Sequence, residues 1–182
     1  MNYIKLMSSN NIILPKELIP YFRSNHAGET GAVYIYKAII KFSKNKEILK
    51  FSHLHLSTET KHLNLLENII PKKDFSKLIS LWKFFGFITG FIPSILGRNF
   101  IYATIYYVET FVEKHYQEQL NMLDNSKQSK KLKRIIEDLM KDEIDHKDDA
   151  KKKIKKFTIL NKVWGQIITH GSNLAVNVSK RF

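Results

Sequence analysis

Residues 142–146 read Asp-Glu-Ile-Asp-His, and within this stretch Glu143 and His146 stand three positions apart. The same Glu-x-x-His spacing occurs upstream in residues 59–62, and one lone glutamate precedes each pair at a similar separation. A glutamate followed by a Glu-x-x-His pair therefore occurs twice in the chain. The repeated set has six members: Glu29, Glu59, His62, Glu109, Glu143 and His146.

All six members fall on apolar stripes of predicted helices. Positions i, i+3, i+4 and i+7 share one face of a helix, so a Glu or His with apolar neighbours at these spacings faces the protein interior, where it could be a metal ligand. The stripe around the first glutamate, for example, contains Phe22, His26, Glu29, Val33, Tyr36 and Ile40. The sequence predicts four such ligand helices, at about 17–44, 46–69, 99–124 and 128–156.

Four carboxylates on buried stripes need compensating positive charge, because an ionised group removed from water is costly unless it is paired. Two iron ions would supply that charge, and histidine nitrogen with carboxylate oxygen is a suitable donor set. Ferritin-like di-iron bundles use this arrangement of ligands. We therefore predict an all-α, ferritin-like four-helix bundle with two iron ions per chain and oxygen chemistry. The alternative is a helical bundle whose Glu and His side chains are solvated or paired with lysine.

Composition favours one domain over residues 1–182. The chain is 43% hydrophobic, and no Gly/Pro/Ser-rich linker divides it. It contains no cysteine, which excludes a disulfide framework, a thiolate nucleophile and a zinc–cysteine cluster. Residues 1–11 lack the apolar run of a secretory signal and the Arg-rich character of a transit peptide, so a cytoplasmic location is expected.

The formal net charge of +13 does not by itself indicate a nucleic-acid partner. Most of the basic residues are lysine, whereas a base-reading surface would favour the planar fork of arginine. We therefore predict no nucleic-acid partner. A basic protein is nevertheless attracted to an anionic membrane surface.

An apolar segment at 78–96 lies between the two ligand pairs, with Lys83 as its only charge. Gly86, Gly90 and Pro93 interrupt it, so we expect it to lie in the membrane interface and not to span the bilayer. The alternative is an ordinary buried helix. A second apolar helix is predicted at 158–180, and its pattern does not distinguish packing from membrane contact.

Residues 25–32, Asn-His-Ala-Gly-Glu-Thr-Gly-Ala, closely resemble the His-Ala-Gly-Glu signature of the demethoxyubiquinone hydroxylases, which are membrane-associated di-iron monooxygenases of ubiquinone biosynthesis. The resemblance extends from about residue 18 to residue 182. Its further segments are Leu81-Trp82 with Gly86, Val108-Glu109 with His115-Tyr116, residues 142–146, and residues 179–182. Three positions depart from the family pattern, namely Asn25, Thr110 and Lys147, and none of them removes a metal ligand.

The resemblance implies reductive activation of O₂ at a di-iron centre and insertion of one oxygen atom into the ring of a polyprenylated methoxy-benzoquinol. It implies no catalytic residue beyond the metal ligands. One half of the site would contain Glu29, Glu59 and His62, and the other Glu109, Glu143 and His146, with some of the glutamates bridging. Asp142 is a candidate acceptor for the free N–H of a ligand histidine.

The same resemblance implies peripheral attachment to the cytoplasmic side of the inner (cell) membrane, since a substrate with an isoprenoid tail stays in lipid. The chain has no Gly-x-Gly-x-x-Gly fingerprint, so an external electron donor is expected. A second copy of the chain and other ubiquinone-biosynthesis proteins are further candidate partners. Two other functions compete with this one: a soluble ferritin-like iron oxidase or iron-storage protein, and a non-enzymatic basic helical protein.

Overall fold

The computed structural model describes residues 14–123 and 127–182, without the side chains of 127–129. The described residues form α-helices and no β-strand, which confirms the all-α prediction. The helices are α1 (Ile19–Phe42), α2 (Lys46–Ile69), α3 (Ile79–Leu96), α4 (Arg98–Met122), α5 (Lys127–Lys153) and α6 (Ile159–Arg181). Residues 1–11, where no leader is predicted, and position 124, where the third ligand helix is predicted to end, lie outside the described residues.

The helix ends follow local sequence chemistry. Pro20 lies in the first turn of α1, where its missing N–H removes no helical hydrogen bond. The Asn45 side chain accepts hydrogen bonds from two N–H groups at the start of α2, and Thr158 forms a capping box with Asn161 at the start of α6. Gly97, with φ of 102°, separates α3 from α4 in a conformation that favours glycine.

Helices α1, α2, α4 and α5 form a bundle with two apolar clusters along its length. One cluster includes Phe22, Leu66, Tyr116 and Leu139, and the other includes Tyr36, Phe51, Tyr102 and Ala150. On each helix the predicted ligands lie between the residues of the two clusters. The candidate site therefore occupies a polar layer that apolar packing encloses from both ends, as in a ferritin-like bundle.

Helices α3 and α6 lie outside this bundle, and each packs against both α1 and α4. The α1–α3 contact is close because it is made by small residues. A Cβ atom at Gly86 would overlap the backbone of Gly31, and one at Gly90 would overlap the backbone of Ile35. On the other side, Trp164 of α6 donates its indole N–H to Thr104 Oγ1 of α4 at 2.8 Å.

Helix α3 is the one helix in the described part of the chain that is long and apolar enough to cross a membrane. Only 22% of its residues are buried. Length and apolar composition alone do not distinguish such a helix from the core helix of a soluble protein. Exposed apolar side chains on α3 include Phe84, Phe85 and Ile95. Membrane contact by this helix stays a prediction.

Helix α6 has two different faces. Gly165 and Ile168 are buried, and Gly165 lies against the ring of Tyr107. Leu160, Ile167 and other apolar side chains of the helix are more than half exposed. The helix thus packs along one side and presents apolar surface on the other, which explains why its sequence pattern alone is ambiguous.

Candidate metal centre

The structure brings the six predicted ligand side chains together in the centre of the bundle. None of the six residues is more than 5% exposed. One glutamate comes from α1, one from α4, and a Glu-x-x-His pair comes from each of α2 and α5. The pairs share a face because residues three positions apart lie on the same side of a helix.

The six side chains form two overlapping groups, each able to hold a metal ion. One group contains Glu29, Glu59, His62 and Glu143, and the other contains Glu59, Glu109, Glu143 and His146. Within each group the ligand atoms lie within 4.8 Å of one another. Glu59 and Glu143 belong to both groups, so these two carboxylates are the ones placed to lie between two ions. Glu29 with His62, and Glu109 with His146, each belong to one group alone.

Both histidines direct Nδ1 to the centre. Nδ1 of His62 lies 3.0 Å from Oε1 of Glu143, and Nδ1 of His146 lies 2.9 Å from Oε1 of Glu59. The other nitrogen of His62, Nε2, lies 3.1 Å from Oδ2 of Asp142. This carboxylate can accept a hydrogen bond from Nε2–H, which would leave Nδ1 with a lone pair for a metal. Asp142 thus occupies the position suggested for it by the sequence.

The donor set fits cations because several of its buried atoms crowd together, some only about 3 Å apart, yet make no hydrogen bond of proper geometry among the described residues. These atoms are Oε2 of Glu29, Oε1 of Glu59, both carboxylate oxygens of Glu143 and Nδ1 of His146. Buried polar atoms normally have hydrogen-bond partners, so a cluster of converging exceptions needs another explanation. A pair of metal ions would satisfy all of them at once.

Burial and the neighbouring charges shift the pKa values of three carboxyl groups of the centre. Burial, and after it the nearby Glu143, raises the pKa of Glu59 and of Glu109. Burial also acts to raise the pKa of Glu143, but contacts with His146 and His62 outweigh it and hold the pKa below its usual range. One carboxylate is therefore ionised beside two that favour the protonated form.

The pKa values of the two histidines are raised, although burial alone would lower them. Burial acts to lower the pKa of His146, but contacts with Glu143 and Glu59 raise it to about 11. The pKa of His62 is also raised, because contacts with Asp142, Glu143 and Glu29 outweigh burial. Without metal, the centre is neutralised by protons on groups that must give them up to bind a cation.

Two buried tyrosines, Tyr36 and Tyr116, contact the centre, and neither is among the six residues that the sequence predicts for it. The hydroxyl of Tyr116 donates to Oε1 of Glu29 at 2.7 Å, and that of Tyr36 donates to Oε1 of Glu109 at a longer 3.5 Å. Each tyrosine follows a lone glutamate by two helical turns and contacts the other lone glutamate across the bundle. That repeated Glu-x₆-Tyr spacing is the signal that could have identified them.

The positions that depart from the family pattern have their own partners. The side-chain amides of Asn25 and Gln119 form two reciprocal hydrogen bonds of 2.8 and 2.9 Å, both buried. Lys147 pairs with Glu113, which joins α5 to α4. The Thr110 hydroxyl donates to the backbone carbonyl of Tyr106. None of these residues occupies a ligand position.

A helical bundle with two overlapping Glu/His groups at its centre defines the class of ferritin-like carboxylate–histidine proteins. Comparison with known proteins specifies the family. The family model described as "Ubiquinone biosynthesis protein COQ7" matches residues 16–179. The chain belongs to this family, which confirms the resemblance to demethoxyubiquinone hydroxylases.

Curated relatives cover most of the chain. It is 26% identical over 162 residues to the NADPH-dependent 3-demethoxyubiquinone 3-hydroxylase of Dictyostelium discoideum, covering 87% of this chain and 75% of that protein. It is 28% identical over 178 residues to the 3-demethoxyubiquinol 3-hydroxylase of Rhodospirillum rubrum, covering 92% and 80%. The Rattus norvegicus protein named like that of Dictyostelium is 24% identical over 164 residues, covering 88% and 76%.

Proposed function

We propose that this chain is a di-iron monooxygenase that hydroxylates the ring of a polyprenylated methoxy-benzoquinol, demethoxyubiquinol, in ubiquinone biosynthesis. The observation that carries the proposal is the pair of overlapping Glu/His groups at the centre of a chain that belongs to the COQ7 family. The reaction follows from the names of the relatives, which are 3-hydroxylases of demethoxyubiquinone or demethoxyubiquinol.

Two iron ions per chain would be held by Glu59 and Glu143 between them, with Glu29–His62 and Glu109–His146 as terminal pairs. A di-iron centre, when bound, supplies reductive activation of O₂. The protein's part is to hold the ligands in place and to keep water out. The burial of all six side chains and the apolar clusters on either side support both roles.

The tyrosine hydroxyls would orient the terminal glutamates. A carboxylate that accepts a hydrogen bond through one oxygen presents the other to the centre, and Oε2 of Glu29 is left without a hydrogen-bond partner among the described residues while Oε1 accepts from Tyr116. Asp142 would do the same for His62 by accepting its Nε2–H. These contacts reduce the reorganisation that metal binding requires.

We further propose that the chain attaches peripherally to an anionic membrane surface, on the cytoplasmic side of the inner membrane. Exposed Phe84, Phe85 and Ile95 give α3 an apolar outer surface, and Lys83 lies on the same helix. Arg98 follows directly at the start of α4. An apolar face with basic neighbours is typical of helices that lie in the membrane interface. A substrate with an isoprenoid tail could then reach the bundle without leaving the lipid.

Electrons would come from an external donor. The names of the Dictyostelium and Rattus relatives describe them as NADPH-dependent, which supports a nicotinamide donor for this chain also. A second copy of the chain and other proteins of ubiquinone biosynthesis are the proposed protein partners.

The test is the quinone composition of a strain that lacks this chain. The strain should accumulate the quinone one ring hydroxylation short of ubiquinone, and the wild-type chain should restore ubiquinone. Glu143→Ala should not restore it, because Glu143 belongs to both ligand groups. Asp145→Ala is the matched control, since Asp145 is an exposed carboxylate two residues away.

Normal quinones in the deletion strain, with no second hydroxylase present, would contradict the proposal. A soluble iron oxidase or iron-storage protein would then be the better function. Full restoration by Glu143→Ala would contradict the role of the metal centre.

A further inference from the structure

The two ligand histidines have different surroundings. Nε2 of His62 meets a carboxylate oxygen of Asp142 at 3.1 Å. His146 instead has the ring of His55 beside it, with the ring centroids 4.1 Å apart and the ring planes inclined at 49°. The ring that packs beside His146 thus belongs to a second imidazole, a residue outside both ligand groups.

His55 is a fixed part of the interior. Its side chain is 3% exposed, and its ring centroid lies 4.1 Å from that of Phe51 and 5.7 Å from that of Tyr36. It lies on α2 one turn before Glu59, so it shares the face that carries the ligands. Aromatic rings on three sides leave the imidazole little freedom to rotate.

Asp149 fixes the plane of that ring. Nε2 of His55 lies 3.1 Å from Oδ2 of Asp149, and because a carboxylate only accepts, Nε2 must carry the hydrogen. Asp149 lies one turn after His146 on α5, and Lys153 contacts its other oxygen at 3.3 Å. The pair therefore joins α2 to α5 beside His146. Nδ1 of His55 has no hydrogen-bond partner among the described residues.

We propose that His55 and Asp149 form a positioning pair for His146, which sets the ring orientation of this ligand and so tunes the metal position formed with Glu109. The inference rests on the metal centre of the proposed function. His55 is not itself a ligand in either group, and its Nε2 is engaged by Asp149. Neighbours that orient ligand histidines commonly change metal affinity about 10–100-fold when they are removed.

The experiment is a stepwise titration of the metal-free full chain with Co²⁺ in place of iron, followed by its visible absorption. His55→Phe keeps the ring packing and removes the hydrogen bond to Asp149. Asp149→Asn removes the charge from the same contact at a partly exposed position, where folding is less at risk. Each variant should bind one of the two Co²⁺ ions with about 10–100-fold lower affinity and bind the other as the wild-type chain does. The double variant should show no greater loss of affinity than the single variants, because both substitutions act through one contact.

Matched controls lie beside the pair. His53→Phe and Asp148→Asn make the same chemical changes at exposed positions of α2 and α5, and should leave both affinities unchanged. Asp142→Asn should weaken the other Co²⁺ ion, because Asp142 contacts His62.

The outcomes separate this inference from the proposed function. A wild-type chain that binds no metal pair would overturn both. A wild-type chain that binds two ions, with variants that bind both unchanged, would overturn the positioning role alone. Variants that only lower the melting temperature, or that weaken both ions equally, would also overturn the positioning role, because a general structural role would then explain them.

Discussion

The hydroxyl of Tyr116 on α4 donates to Oε1 of Glu29 on α1 across 2.7 Å, inside the bundle. The reverse contact, from Tyr36 on α1 to Glu109 on α4, has the same form but is longer at 3.5 Å. The repeated Glu/His pattern of the sequence thus extends to a tyrosine that contacts each of the two lone glutamates. The two contacts are built alike, but the hydrogen bond to Glu29 is the shorter one.

Tyr116→Phe should destabilise the metal-free protein by about 1–3 kcal/mol, because Oε1 of Glu29 would lose its buried donor. Tyr36→Phe should cost less, since its contact is at the limit of a hydrogen bond. Urea denaturation of both variants in the presence of chelator measures the difference. Tyr34→Phe, at a partly exposed position of α1, is the control for loss of a phenol hydroxyl. Equal losses at Tyr36 and Tyr116 would contradict the inequality.

The shared ligands should differ from the terminal ligands in metal content. Glu59→Gln should remove most of both iron ions, because Glu59 belongs to both groups. Glu109→Gln should retain about one ion per chain, because the group of Glu29, Glu59, His62 and Glu143 stays complete. Elemental analysis after iron reconstitution measures both.

The control for this comparison is Glu67→Gln, which changes an exposed carboxylate on α2 and should leave the iron content at the wild-type value. If Glu109→Gln also lost both ions, the assignment of bridging and terminal ligands would be wrong. Zinc alone in the wild-type chain would contradict the di-iron centre itself.

Much of the fold and of the candidate site can be predicted from the sequence because the ligand spacing and the apolar stripes share one helical period. Glu59 and His62 face inward for the same reason as Leu66, and one pattern finds them all. The position of Glu59 in both groups is different, since it depends on how α2 and α5 approach each other. No local sequence pattern gives the distance between these two helices.

The features that the sequence does not predict depend on contacts between segments that are distant in the chain. His55 and Asp149 are 94 positions apart, and only the packing of α2 against α5 makes them neighbours. Gly86 interrupts an apolar run in the sequence, whereas in the structure it permits the close contact with Gly31. Sequence periodicity identifies the face of a helix but not the partner of that face.

Gly86→Ala should loosen α3 from α1. A Cβ atom at Gly86 would overlap the backbone carbonyl of Gly31, which cannot move aside as a flexible side chain can. We expect a loss of about 1–3 kcal/mol, typical of overpacking, in the free energy of unfolding. Gly171→Ala on α6 is the matched control, because nothing lies within 4 Å of its added Cβ. That variant should be neutral or slightly stabilising, and equal losses in both variants would refute the packing argument.

The stability of the metal-free protein should fall as pH rises from about 7 to about 9. The folded-state pKa of His146 is raised from 6.5 to about 11, so its contribution is complete below pH 6.5 and is lost as pH approaches 11. The raised pKa values of His62, Glu59 and Glu109 act in the same direction. The lowered pKa of Glu143 contributes a constant stabilisation over this range, which is lost only in acid.

Thermal unfolding in chelator over this pH range measures the effect. Buried His55 and His115, with pKa values lowered from 6.5 to about 4, are neutral in the folded state and lose their last protons in the unfolded state just above pH 7, so they oppose the fall only slightly and only at the start of the range. Stabilisation by added metal should instead increase with pH, because the metal displaces protons from its ligands. A metal-free protein that gains stability between these pH values would show that the histidines are not charged in the folded state.

Membrane attachment should depend on the outer face of α3. Phe84 and Phe85 are 56% and 50% exposed, whereas Phe87 and Phe91 contact Phe42 of α1 and are partly buried. Replacing both Phe84 and Phe85 with Asp should reduce binding to anionic vesicles at least about tenfold, since each inserted aromatic ring contributes on the order of 1.5–3 kcal/mol. Flotation with vesicles measures binding, and iron content should be unchanged because neither residue touches the centre.

Leu54→Asp is the control, because Leu54 is a 64% exposed apolar residue on α2. Equal flotation of the wild-type and doubly substituted chains would remove α3 from the attachment surface, and a loss that Leu54→Asp reproduced would indicate non-specific adhesion of exposed apolar side chains.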